Sequence, residues 1–145
     1  MKIKKLDELQ YIKRGNIFKH CLFTIIGLLL IYLTLLEFNI VFMNQHSALI
    51  LIIVFIVSLF SIEMVCYEIY PLSEKRQKFL YIFEGLFGLA VIIMTGYELI
   101  FREASFIENQ MLSDIGTFFI AGCFVLMIFF AYIIKKIYNK MKGDV

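Results

Sequence analysis

The stretch FLYIFEGLFGLAVIIMTGYELIF, Phe79 to Phe101, decides the fold. A bilayer core about 30 Å thick needs about 20 mostly apolar residues in a helix rising about 1.5 Å per residue. Phe79 to Phe101 supplies that length, with Glu84 inside it and Glu98 near its far end. Gly85, Gly88 and Gly96 would weaken a helix in water. In lipid, small residues let helices approach closely. At about 100° per residue, Glu84, Gly88, Val91, Thr95 and Glu98 fall within an arc of about 80°. The pattern predicts one small, polar face that packs on neighbouring helices or lines a site, and one greasy face.

The rest of the chain reads the same way. Of 145 residues, 61% are apolar and 18% charged. A soluble domain sits nearer about 45–50% apolar and about 25% charged, so the class is integral membrane. Three more apolar runs, about 20–43, 48–70 and 115–134, join 79–101. Together they predict an all-α fold, a single domain over 1–145 with four antiparallel transmembrane helices. Thr24, Gly27 and Thr34 share one arc of the first span. Asn44 to Ser47 is a short turn. Tyr67 and Tyr70 sit where an aromatic belt is expected, and Pro71, the sole proline, ends the second helix. Phe106, Ile107, Met111 and Leu112 could lay the longest loop on the outer surface, and Ser113 or Asp114 suits the N-cap of the last helix. Ile3, Leu6, Leu9 and Ile12 suggest a short amphipathic helix at the inner surface, or a plain basic arm. The first apolar run is too long for the core of a cleavable signal peptide.

Charge sets the expected orientation. The N-terminal arm holds six Lys and Arg, the connector before Phe79 three, and the tail four. Arg102 alone lies on the other side. Basic residues stay inside, so both termini are expected in the cytoplasm of a bacterial cell.

Motifs for nucleotide, metal-protease or hydrolase chemistry are absent from the sequence. Cys21, Cys66 and Cys123 have no metal-ligand spacing, and His20 and His46 fall on opposite sides of the membrane. No cofactor, no metal site and no nucleic-acid partner is expected, and the chain reads as a non-enzyme. The intramembrane carboxylates carry the signal instead. Glu37 and Glu98 fall at the outer rim, where water reaches them. Glu63 lies about 22 Å beyond Ala48, and Glu84 about 9 Å beyond Lys78, so they reach similar depth on consecutive helices. A carboxylate in hydrocarbon costs at least about 2.5 kcal/mol on insertion scales and therefore faces protein or water. Facing each other, the two would share a proton. Three readings stay open: an ion or proton site, an interhelical hydrogen bond, or no contact between them. Gly27, Gly85, Gly88, Thr95 and Gly96 are the expected helix-packing positions.

Asp7-Glu8-Leu9-Gln10, then a basic patch, four spans and a Lys-rich tail, resembles the small four-helix membrane proteins of low-GC Gram-positive bacteria. The resemblance is one of layout and implies an accessory, regulatory or immunity-type factor. Such a factor would act through helix or lipid contacts, with the bilayer, a second copy or another membrane protein as partner. The alternative is a small oligomeric transporter or channel using Glu63 and Glu84.

Overall fold

In a computed structural model, the residues described are 8–69, 74–102, 104–108 and 111–143. They form four long helices: α1 (Glu8–Glu37), α2 (Gln45–Cys66), α3 (Glu74–Phe101) and α4 (Asp114–Gly143). All four are long and apolar enough to cross a membrane. This is the architecture of a multi-pass membrane protein. Lys2, Lys4, Lys5, Ile3 and Leu6 of the basic arm, with Tyr70 and Pro71, lie outside the described residues.

The helices differ from the expected spans at their ends. α1 is continuous from Glu8, so Leu9, Ile12 and Lys13 extend the span instead of forming a separate surface helix. Its 30 residues make about 45 Å, longer than a bilayer core. It stops at Glu37, short of position 43, in a left-handed turn. Asn39 has φ 55°, its N–H donates to Leu36 O at 3.0 Å, and the Ile40 N–H donates to Leu35 O at 2.9 Å. Asn is one of the few residues other than glycine that tolerate that conformation. α2 ends the same way, four residues before Tyr70. Glu68 takes φ 57°, and the Ile69 N–H reaches back to Met64 O at 3.0 Å. Ile69 is fully buried beside Met64, the apolar contact that accompanies such a cap. α4 runs on through Lys135 to Gly143, so the Lys-rich tail is helical.

The loop after α3 holds a two-stranded antiparallel hairpin, β1 (Ile107–Glu108) and β2 (Met111–Leu112). Its second strand also bridges Met43 in the α1–α2 loop, where the Leu112 N–H donates to Phe42 O at 2.7 Å. Ser113 caps α4 by accepting the Gly116 N–H at 3.0 Å. The Ser47 hydroxyl donates to Asp114 at 2.6 Å. The two loops at this end are therefore tied together.

α4 is the central element. It packs against both α3 and α2, while α1 packs mainly on α2. The order α1–α2–α4–α3 is more a row than a ring. Two apolar clusters lie along it. Ile17, Cys21, Met64 and Ile69 join α1 to the end of α2. Val65, Tyr81 and Ile128 join α2, α3 and α4.

Candidate functional site

Polar groups inside apolar helices must find partners, so the few present mark the places where function can reside. Among the described residues no hydrogen bond or ion pair joins Glu63 and Glu84. Glu63 turns instead to α1, where its Oε1 lies 2.5 Å from His20 Nδ1. Four residues before Tyr67, Glu63 stands on the α2 face that meets Ile17 and Cys21, so a helix-facing carboxylate and an α1 histidine come together. His20 is 60% exposed at its side chain and Glu63 18%, so the pair sits at the edge of the seam. Glu84 lies on α3, partly buried, and its Oε2 is buried without a hydrogen-bond partner. Sequence spacing gives depth along each helix but not the rotation of one helix against another, and rotation decides this pairing.

Beside the His20–Glu63 pair, α1 and α2 enclose an apolar groove of 310 Å³, walled by Phe18, Cys21, Leu22 and Ile25 on one side and Ile56, Val57 and Phe60 on the other. Phe18 meets Phe60 edge to face.

A second polar cluster forms where α2 ends. Glu68, held in its left-handed turn, accepts a hydrogen bond from Asn139 Nδ2 at 2.6 Å and lies 3.3 Å from Lys135 Nζ. Lys13 reaches across from α1 and stands over the Tyr67 ring at 5.9 Å. A cavity of 510 Å³ opens there, with Lys142 on its wall. The Asn139 hydrogen bond, with Lys135 and Lys13 nearby, holds the Glu68 carboxyl below the usual carboxylate range, against a smaller opposing effect of burial. The sequence shows Glu68 only as a charge pointing away from the Glu63 face. Its partners lie 67 to 71 positions along the chain, which no local pattern reports.

The other expected positions fall as follows. Glu98 pairs with Arg102 one turn on, at 3.0 Å, and Glu37 is exposed as the last residue of α1. Thr95 turns its hydroxyl back to Val91 O at 2.8 Å, as Thr24 and Thr34 do within α1. Gly88 lies against α4, where an added Cβ would stand 2.9 Å from Leu126 N and 3.0 Å from Gly122 O. Gly85 faces the Phe129 ring. Gly27 and Gly96, expected at packing faces, have nothing within 4 Å of an added Cβ.

Among the described residues, no group of three or more His, Cys, Asp and Glu side chains could hold a metal ion. His20 and Glu63 can pass a proton or carry an ion pair. The Glu68 cluster can bind charge. Comparison with protein-family models, curated proteins and solved structures found no match.

Proposed function

We propose that the chain is a non-enzymatic protein of the bacterial cytoplasmic membrane, with four antiparallel spans and both termini inside, that acts by contact with lipid or with another membrane protein. The observation that carries this reading is the state of α1. It packs mainly on α2, and 6% of its most apolar window is buried in the chain. Lipid tails cover apolar surface as well as protein does, so a helix attached by one seam is free to exchange neighbours in the plane of the membrane. An accessory, regulatory or immunity-type factor works through such a face. Thirteen of the fourteen Lys and Arg residues fall on the proposed inner side, which supports the orientation.

A reporter active only outside the cell should be dead when fused after Val145 and active when inserted near Glu108. An active fusion after Val145 ends the orientation. Cysteine cross-linking from exposed α1 positions such as Leu22 or Ile26 in native membranes should capture a second copy or another protein. If every α1 position yields lipid adducts alone, protein contact through α1 is wrong.

The runner-up is an oligomeric transporter. The buried, unpartnered Glu84 Oε2 is the observation in its favour. A row of four helices encloses no lumen, so a pathway would need at least a dimer. Glu63→Gln combined with Glu84→Gln separates the readings. A folded variant that keeps its cellular phenotype removes transport, and a folded variant that loses it favours transport.

A further inference from the structure

The cavity at the end of α2 is lined by three lysines from two helices, Lys13 of α1 and Lys135 and Lys142 of α4, with Asn139 between them. Among the described residues one carboxylate, Glu68, shares the lining with the three, so these side chains carry a net excess of positive charge. Glu68 is committed to Asn139 and Lys135. Lys13 and Lys135 stand over tyrosine rings, which position an ammonium; Lys135 spends one donor on Glu68 at 3.3 Å, and its other N–H groups and those of Lys13 can turn to a ligand. Lysines presented by separate helices around a space of this size suit a phosphate group, a compact anion that accepts from several directions.

The apolar groove lies further along the same α1–α2 seam, past the buried Ile17 and Met64. From Lys13 to Phe18 along α1 is about 8 Å, and from Cys66 to Phe60 along α2 about 9 Å. At that spacing an acyl chain on a phosphate held in the cavity is long enough to run over the outside of the Ile17–Met64 cluster and reach Phe18, Leu22 and Val57. Tyr67 and Tyr138 on the cavity wall are each about half exposed, as residues at headgroup level are.

We infer that this cavity binds a phosphate-bearing anion, the headgroup of an anionic phospholipid, with the acyl chain seated in the α1–α2 groove. The inference rests on the proposed inner-surface placement only for which leaflet supplies the lipid. Binding itself is measured in detergent, where sidedness plays no part, so its failure is distinct from a failure of the topology reporter.

The test is native mass spectrometry of the full chain in mild detergent, titrated with phosphatidylglycerol and with phosphatidylcholine. Phosphatidylglycerol should be retained in preference. Lys13→Gln and Lys142→Gln should each weaken its retention about fivefold. Lys136→Gln, at an exposed lysine off the cavity wall, should leave it unchanged. Glu68→Gln should tighten it, because the competing carboxylate is gone. Circular dichroism checks that each variant is folded, and Lys142→Gln, in the last turn of α4, decides the matter if Lys13→Gln is not. Equal retention of the two lipids, or Lys142→Gln no weaker than Lys136→Gln, overturns the site. So does weaker binding in Glu68→Gln. Inorganic phosphate that binds with the same lysine dependence while neither lipid does overturns the lipid as occupant and leaves a soluble phosphorylated anion.

Discussion

The two outer seams of the row are built differently. Where α3 meets α4, the backbones touch: an added Cβ at Gly88 meets Gly122 O, and one at Gly122 meets Gly88 O at 3.3 Å. Where α1 meets α2, the chains stand apart around a 310 Å³ groove, joined by the Ile17–Met64 cluster and the His20–Glu63 pair. Lipid gives no hydrophobic drive for helices to associate, so a seam is as strong as its close packing and its polar links. α3–α4 is a fixed unit held by shape. Among the described residues, α1–α2 is a seam held by the His20–Glu63 pair, the Lys13–Tyr67 contact and a small cluster at its end, with room for lipid in the rest.

The largest effect should follow from breaking the tight seam. Gly88→Leu puts a side chain into the α4 backbone, which has no flexible end to move aside, and should cost about 3 kcal/mol or more. Phe87, on the same turn, is 57% exposed, and Phe87→Leu should stay within about 0.5 kcal/mol. Thermal unfolding in detergent compares them. Equal stability of the two variants would remove Gly88 from the seam.

The loose seam should give a smaller, separable effect. His20→Ala and Glu63→Ala should each weaken α1–α2 association by about 1 kcal/mol, the usual size of an interhelical hydrogen bond in a membrane. The double variant should cost little more than either single one, because both remove the same link. The readout is a cysteine cross-link between Ile25 and Ile56 positions across the groove. Strictly additive losses would mean that the two side chains act independently.

The difference between the seams also explains what could be read from the sequence. The four helices are legible because composition alone demands them, and Gly88 is legible because it shares an arc with polar residues, whereas Gly85 stands outside that arc and is legible only as a small residue in an apolar run. The partners of Glu63 and Glu68 are not. A helical wheel fixes which residues share a face but not which helix that face meets, and the row places α2 between α1 and α4. α1 and α2 stop before their apolar runs do, for a local reason. Asn39 and Glu68 reverse the chain in left-handed turns inside runs that are still apolar, so hydropathy carries on past the stop.

At the end of α2 the effect is smaller again and depends on pH. The Glu68 carboxyl titrates below its ordinary value of 4.5 in the folded chain, chiefly through Asn139. A carboxylate held lower in the folded state adds stability above the unfolded value, and that stability disappears as pH falls through the folded one. The melting temperature of the native chain should therefore exceed that of Glu68→Gln at neutral pH. The gap should close on acidification below about pH 4.5. The carboxylate is about half exposed, so the gap is modest and shrinks with salt. A gap that widens on acidification would mean that Glu68 is not held as an anion.

The smallest effect on the isolated chain is expected at Gly27 and Gly96, and it bears most directly on function. Neither would bring a Cβ within 4 Å of another group, so Gly27→Ala and Gly96→Ala should leave the fold intact in detergent, within about 0.5 kcal/mol. Yet both belong to helix faces on which small residues cluster, and in lipid such faces let backbones meet. Gly27 is on α1, the helix with the least support from its own chain. If the proposed contact partner approaches α1 there, Gly27→Leu will abolish co-purification or cross-linking of that partner while the melting temperature stays unchanged. Gly96→Leu serves as the comparison on α3, a helix already fixed to α4. Loss of partner capture in Gly27→Leu alone would place the contact on α1. Loss in Gly96→Leu alone would move it to the far end of the row. If both variants keep full capture, neither glycine is a contact point, and the free flank of α1 is covered by lipid.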